Sequence, residues 1–146
     1  MTISDSKIEK MLERAGFQEF TFSSIGAGHY NDSYYVDSPH GRYVLRIAPA
    51  DDVPKLFYEI DMMKSEVNIH RLVREYTNVP VPEIIYHDFS HQIIDSDYLV
   101  MEFLEGRSGP FTEMELGGYV RQIHSIESDV YGYPERAAPA GQSWPD

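Results

Sequence analysis

Two glycines and an asparagine near the start of the chain have the spacing of a loop that can hold phosphate. In the stretch IGAGHYNDSYYV, Gly26 and Gly28 match the first two positions of a G-x-G-x-x-G loop, and Asn31 occupies the third. Glycines allow backbone N–H groups to approach an anion closely, because no Cβ stands in the way. A glycine pair also occurs in ordinary turns, so the surrounding residues must decide between the two interpretations.

A cation and a carboxylate follow this turn at positions where an isolated charge would be costly. Arg46 lies in the β-rich run RYVLRI, two residues from Val44 and therefore on the same strand face. Glu66 falls between Met62 and Ile69 on the apolar face of a predicted helix. A carboxylate there needs a cationic partner, unless the helix end is frayed and hydrated. We predict that Arg46 is that partner, since a glycine turn, a strand cation and a helix carboxylate together can hold a nucleoside triphosphate.

The elements that must position these residues follow an α+β pattern. Periodicity predicts helices over residues 5–15, 56–76 and 112–126, and strands over residues 20–25, 33–37, 42–47, 83–88 and 98–103. This order predicts a five-stranded antiparallel sheet with one main helix against it, followed by a C-terminal helix.

Composition excludes several other classes of protein. The chain has no cysteine, which removes disulfides and thiolate metal sites and favours a cytoplasmic location. Its formal net charge of −12 disfavours nucleic acid and anionic membranes as partners. His87 and His91 flank a short turn without a third ligand at a defined spacing, so we predict no metal site.

Six stretches of the chain, in this order, resemble the aminoglycoside phosphotransferase and choline kinase-like family, whose members have the protein-kinase-like fold. The stretches are GHYNDSYYV, GRYVLRIAP, EVNIHRLV, VPVPEIIYHD, YLVMEFLEG and LGGYVRQIHSI with YGYP. The resemblance implies a nucleotide-binding N-terminal lobe in which Gly26, Gly28 and Asn31 cover the phosphates of ATP. It further implies that Arg46 pairs with the α- and β-phosphates and that Glu66 orients Arg46.

The stretch MEFLEG resembles the hinge with which this family binds adenine through backbone groups. By this resemblance Met101 guards the inner pocket, while the Glu102 carbonyl and the Leu104 N–H face the adenine edge. The resemblance also implies that a full-length relative uses Mg²⁺ and transfers the γ-phosphate to a hydroxyl of an aminoglycoside-, choline- or sugar-like acceptor.

The chain departs from the family where the catalytic loop is expected. No H-x-D-type loop with a downstream asparagine and a second aspartate follows the 112–126 helix. We therefore assign no catalytic residue and expect a truncated, inactive chain. The expected domains are an N-lobe at 1–103 with its first helix in 1–18, a hinge at 104–111, a first C-lobe helix at 112–132 and a loose tail at 133–146.

The predicted 112–126 helix carries an apolar stripe that would need a partner. Its members are Leu116, Tyr119, Val120, Ile123 and Ile126. An exposed stripe of this size must fold back, be covered by a second copy of the chain or be exchanged with that copy by domain swapping. The alternative function is therefore a non-catalytic module that forms a homodimer or binds a partner through this helix.

Overall fold

The protein is described by a computed structural model that covers residues 3–27, 31–50, 61–106, 109 and 112–128. Three helices and five strands occur in these ranges: α1 Asp5–Arg14, β1 Thr21–Ala27, β2 Asp32–Ser38, β3 Gly41–Ile47, α2 Met62–Tyr76, β4 Ile84–Asp88, β5 Tyr98–Glu102 and α3 Glu113–His124. They belong to two compact units, Met1–Leu56 with Ile84–Phe103 and Phe57–Glu83 with Leu104–Asp146. Among the described helices, none combines the length and apolar character that a bilayer crossing needs.

The first unit contains one antiparallel sheet with the strand order β1-β2-β3-β5-β4. Four residues separate β1 from β2 and two separate β2 from β3 along the chain, whereas β5 lies between β3 and β4 in the sheet. The interior position of β5, between β3 and the edge strand β4, agrees with its composition, because four of its five residues are buried and a strand covered on both faces is mostly apolar. The predicted α+β class and five-stranded antiparallel sheet are therefore confirmed.

Helix α1 covers one face of this sheet. Its residues Ile8, Met11 and Leu12 are almost fully buried. The hydrophobic core that contains them also includes Val36, Leu45, Ile47, Ile94, Tyr98 and Val100. Gly16 ends the helix at a φ of 95°, and the N–H groups of Gly16 and Phe17 donate to the carbonyls of Glu13 and Leu12. This pattern satisfies carbonyls of the last turn and needs the left-handed backbone that glycine adopts easily.

A buried carboxylate fixes the end of α1 to β4 and β5. The Asp88 carboxylate accepts hydrogen bonds from the Ser90 N–H at 2.8 Å and the Tyr98 hydroxyl at 3.2 Å. The Arg14 Nε lies 3.0 Å from the same carboxylate. Burial acts to raise the pKa of Asp88, but the bonds from Ser90 and Tyr98 and the charge of Arg14 outweigh it, so the net pKa is lowered. A hydrogen bond with Tyr86 and the charge of Asp88 raise the pKa of Arg14.

Helix α2, in the second unit, corrects one expectation about its apolar face. Met63 and Val73 are buried, whereas Ile69, which was predicted to lie on the apolar face, is 43% exposed. The prediction put Met62 on this face, because Met62 lies about 20° around the helix from both Ile69 and Val73, but Met63 is the methionine that is buried. Residues 56–60 of the predicted helix lie outside the described ranges.

Helix α3 begins with a reciprocal hydrogen-bonded cap. The Thr112 Oγ accepts from the Glu115 N–H at 3.2 Å, and the Glu115 carboxylate accepts from the Thr112 N–H at 3.0 Å. No residue of α3, which the structure describes from end to end, is buried. The apolar side chains predicted to need a partner on this helix, from Leu116 to Ile123, are therefore exposed.

Candidate functional site

The predicted glycine turn begins at an irregular end of β1. Gly26 has a φ of 101°, and its N–H donates to the Ser24 Oγ at 3.1 Å. The pairing register shifts between Ser24 and Ala27, which marks a bulge. Bulges turn the end of a strand, and a positive φ inside one favours glycine. Asn31 lies immediately before β2 and is half-buried, while Gly28 falls outside the described residues.

Arg46 lies on the sheet face that does not carry the α1 core. Its neighbours Leu45 and Ile47 are both buried in that core, so the alternation of the strand directs Arg46 to the other face. It pairs with Ser33 of β2 and with Leu99 of β5, and its side chain is half-buried. Ser33, the β2 partner of Arg46, is the second residue of that strand. Arg46 therefore lies at the end of the sheet that adjoins the predicted glycine turn.

Met101 shares this face with Arg46. Met101 pairs with Val44 in the β3–β5 ladder, and Val44 precedes Arg46 by two residues. Met101 is only 6% exposed. The strand register therefore brings together two of the predicted site residues, one cationic and one apolar, on the same surface.

The end of β5 carries the remaining predicted contacts. Glu102 pairs with Tyr43 and is exposed, as is Leu104 just beyond the strand. The Phe103 N–H donates to the Arg42 carbonyl at 3.1 Å, which continues the ladder by one position. The backbone of Glu102 is thus part of a regular strand up to the point where the predicted hinge begins.

Glu66 lies on α2, half-buried, with a neighbour that the sequence reasoning missed. The Oε1 of Glu66 is 3.9 Å from the Nε2 of His70, one helical turn later. The other ring nitrogen of His70 lies 3.1 Å from the Pro82 carbonyl oxygen. The spacing of four residues between Glu66 and His70 is a readable signal for such a contact. Glu66 and Arg46 belong to different units, and their pairing stays a prediction.

The two histidines that raised the question of a metal have other neighbours. The His87 ring packs against Phe89 with centroids 4.9 Å apart. The Nε2 of His91 lies 2.8 Å from the Asp97 carboxylate, and the Nδ1 lies 3.8 Å from Asp95. Across the part of the chain that the structure describes, no group of three His, Asp or Glu side chains could hold a metal ion.

A groove of about 610 Å³ lies at a different place in the first unit. Its walls include the residues that follow α1, the β2–β3 turn and the ring of Tyr43. Phe17 packs edge-on against that ring, with centroids 5.1 Å apart. The groove adjoins the β2–β3 turn, whereas Gly26 and Asn31 adjoin the β1–β2 turn. We therefore do not assign it to the predicted site.

Comparison with known proteins identifies relatives of the chain. The model of the APH phosphotransferase enzyme family matches residues 21–144. The probable acyl-CoA dehydrogenase IBR3 of Arabidopsis thaliana is 31% identical over 93 residues, which cover 61% of this chain and 11% of that protein. A Staphylococcus aureus protein described as an uncharacterized protein in ileS 3'region is 28% identical over 112 residues, covering 75% of this chain and 77% of that one.

A solved structure has a similar fold. The crystal structure of a "putative aminoglycoside phosphotransferase" from Ralstonia eutropha JMP134 superposes with a TM-score of 0.53 at 18% identity. The match covers 73% of this chain and 29% of that one. The chain thus spans about a tenth of the Arabidopsis relative and less than a third of the solved structure.

Proposed function

Because the chain belongs to the phosphotransferase enzyme family, we propose that the sheet face carrying Arg46 and Met101 binds ATP. In the proposed reaction the γ-phosphate of ATP passes to a hydroxyl of a small aminoglycoside-, choline- or sugar-like acceptor. The observation that carries the proposal is the register of β3 with β2 and β5. This register sets a half-buried arginine beside the strand that follows the glycine turn, on the same face as a buried apolar side chain.

Each residue has a role that follows from its chemistry. The Arg46 guanidinium offers several N–H donors in a plane and can bind phosphate oxygens at two points. Gly26, Gly28 and Asn31 cover the phosphates, and Glu66 orients Arg46. Met101 forms the apolar wall beside the adenine ring, while the Glu102 carbonyl and the Leu104 N–H recognise its edge. Mg²⁺ enters bound to the phosphates of the nucleotide.

Titration of the 146-residue chain with Mg·ATP tests nucleotide binding. A ligand at 100 times its Kd stabilises the folded state by about 2.7 kcal/mol, so we expect a clear rise in melting temperature. Arg46→Ala removes the phosphate contact and should abolish the rise. Arg71→Ala, which removes a charge from an exposed position of α2, is the matched control and should keep it. No rise with the unaltered chain at millimolar Mg·ATP would contradict the proposal.

We further propose that this chain alone binds the nucleotide without transferring its phosphate, in a cytoplasmic setting. None of its six histidines is followed two residues later by an aspartate, so an H-x-D-type base is lacking in the 146 residues. Phosphate transfer by the purified chain to a panel of amino sugars and amino alcohols is the test. Turnover that disappears with Arg46→Ala would show that the chain is active by itself and would overturn this part.

The second candidate function is a module that dimerises through α3. The observation that favours it is the exposure of Leu116, Tyr119, Val120 and Ile123, each between 41% and 49%. A second copy of the same helix could cover this stripe. Light scattering over a hundredfold range of chain concentration should then show a dimer that Val120→Asp dissociates. A monomer at every concentration would reject homodimerisation.

A further inference from the structure

Four side chains form a cluster on the sheet where β5 ends. We call them the Arg42 cluster: Tyr35, Asp37, Arg42 and Phe103. Arg42 donates from Nε to Asp37 Oδ1 at 2.6 Å and from Nη2 to Asp37 Oδ2 at 3.2 Å. Its guanidinium carbon lies 5.3 Å from the centroid of the Tyr35 ring and 5.7 Å from that of the Phe103 ring. The two rings contact each other edge to face, with centroids 5.6 Å apart.

Both a backbone hydrogen bond and the Arg42 side chain hold Phe103 in place. The Arg42 carbonyl accepts the Phe103 N–H at 3.1 Å, while the Arg42 side chain lies over the Phe103 ring. One arginine thus contacts both the main chain and the side chain of the residue between Glu102 and Leu104. These two neighbours supply the backbone groups that we propose for adenine recognition.

The arrangement suits orientation better than stability. The Arg42 and Asp37 side chains are 49% and 46% exposed. An ion pair this exposed is screened by solvent and is weak evidence for stability. Nevertheless, a bidentate contact fixes the orientation of the guanidinium. The guanidinium therefore stays over the Tyr35 and Phe103 rings. The hydrogen bond from Arg42 holds the pKa of Asp37 below its usual value, as expected for a carboxylate whose charged form accepts the bond.

We propose that Arg42 is a positioning residue for adenine recognition: through Phe103 it sets the course of the backbone at Glu102 and Leu104. The proposal rests on the nucleotide-binding function proposed above. Arg42 and Arg46 lie on the same face of β3 but four residues apart, which separates their Cα atoms by about 13 Å. Arg42 therefore acts at the adenine end and Arg46 at the phosphate end.

Two ligands, one with the adenine base and one without it, distinguish the role of Arg42 from that of Arg46. We would measure the Kd of Mg·ATP and of Mg·tripolyphosphate, which lacks the base, by calorimetry. Arg42→Gln should weaken ATP roughly three- to tenfold and leave tripolyphosphate unchanged. Arg46→Ala should weaken both ligands. Arg74→Gln, which breaks the exposed Arg74–Glu83 pair, is the matched control and should change neither. Equal weakening of both ligands by Arg42→Gln, or no weakening of either, would overturn the proposal.

A double-mutant cycle tests whether Arg42 acts through Phe103. Phe103→Leu removes the ring but keeps an apolar side chain, and it should weaken ATP to a similar extent. The double variant should then be little worse than either single variant, because both changes remove one shared interaction. Additive losses would show that Arg42 acts by another route. Absence of ATP binding by the unaltered chain would instead reject the proposed function itself.

Hydrogen exchange gives a readout that needs no nucleotide. The Phe103 amide should exchange faster in Arg42→Gln, because its ring is no longer held beside the acceptor carbonyl. The Leu45 amide, inside the same strand as Arg42, is an internal reference and should keep its rate. Unchanged exchange at Phe103 would contradict the proposed control of this backbone.

Discussion

At the scale of the residue, Asp88 is the charge whose loss should matter most for folding. Its side chain is 6% exposed, accepts hydrogen bonds from Ser90 and Tyr98, and forms an ion pair with Arg14. Asp88→Asn removes the negative charge and leaves the Arg14 guanidinium without its ionic partner. We expect a loss of about 1–3 kcal/mol in the free energy of unfolding at pH 7, measured by urea titration. Glu83→Gln removes a carboxylate that is 58% exposed in its pair with Arg74 and should cost less than half as much.

The pH dependence of this contribution has a definite sign. The pKa of Asp88 is lower in the folded chain than in the unfolded chain. The stabilisation is therefore complete above the unfolded value of about 3.9 and is lost as the pH falls through the folded value. The difference in unfolding free energy between the unaltered chain and Asp88→Asn should shrink below about pH 4. A constant difference between pH 7 and pH 3 would show that the charge of Asp88 is not responsible.

Substitution of Gly26 and Gly117 tests backbone strain separately from steric clashes of the new side chain. An added Cβ would meet no heavy atom within 4 Å at either residue, but only Gly26 has a positive φ. Gly26→Ala should therefore destabilise the first unit by about 1–2 kcal/mol, because alanine is strained at a φ of 101°. Gly117→Ala lies within α3 and should stabilise that helix by up to about 1 kcal/mol. Urea unfolding followed by circular dichroism measures both, and equal effects would reject backbone strain as the cause.

At the scale of the element, the cap of α3 predicts a local response to acid. The Thr112 backbone N–H and hydroxyl both donate to the Glu115 carboxylate, and these bonds lower the pKa of Glu115. The contribution of the carboxylate is complete above its unfolded pKa of about 4.3 and disappears as the pH falls through the lower folded value. In nuclear magnetic resonance spectra the Glu115 amide should therefore shift below pH 4.3 and the first turn of α3 should fray.

Glu115→Gln and Thr112→Ala separate the charge from the cap. Glutamine keeps an acceptor at this position, so Glu115→Gln should retain the turn and lose its acid response. Thr112→Ala removes the acceptor for the Glu115 N–H and should fray the turn at every pH, at a cost of about 1 kcal/mol. An acid response that survives in Glu115→Gln would assign it to another group.

Local patterns predicted the elements, whereas contacts between strands had to come from the structure. Alternation predicted strands within a residue or two of the observed bounds, as for 33–37 against Asp32–Ser38. The insertion of β5 beside β3 depends on pairing between distant segments, which no local pattern encodes. Periodicity favoured Met62 over Met63, and the burial of Met63 depends on contacts with other segments, which periodicity does not encode.

The candidate site likewise combines features that the sequence predicted with features that required the structure. Residue type and spacing indicated Arg46 and Met101, but the strand register was needed to set them on one face. The Asp37–Arg42 pair had a readable signal, because the two residues flank the four-residue stretch SPHG of a hairpin and lie opposite each other. Phe103 could join that pair only through the β3–β5 ladder. The positive φ of Gly26 likewise depends on a bulge that the glycine spacing does not specify.

At the scale of the whole molecule, the net charge of −12 predicts how salt acts on stability. Repulsion among carboxylates disfavours the compact state, and it extends over about 30 Å at 10 mM salt but only about 8 Å at 150 mM. Salt also weakens exposed ion pairs such as Asp37–Arg42, but solvent already screens these pairs and their contribution is small. The Asp88 contact is largely buried and therefore less screened. The loss of repulsion should dominate, so the melting temperature should rise by about 2–5 °C between 10 and 150 mM NaCl.

A variant with fewer carboxylates tests whether net charge causes this rise. Glu9→Gln, Glu75→Gln and Glu127→Gln together change three exposed side chains and bring the net charge from −12 to −9. The variant should melt at a higher temperature than the unaltered chain in 10 mM NaCl, and the two should converge at 150 mM. Because repulsion grows with the square of the charge, three neutralised residues should remove nearly half of the salt effect. A rise of the same size in both chains would assign it to a specific anion or cation site rather than to the overall charge.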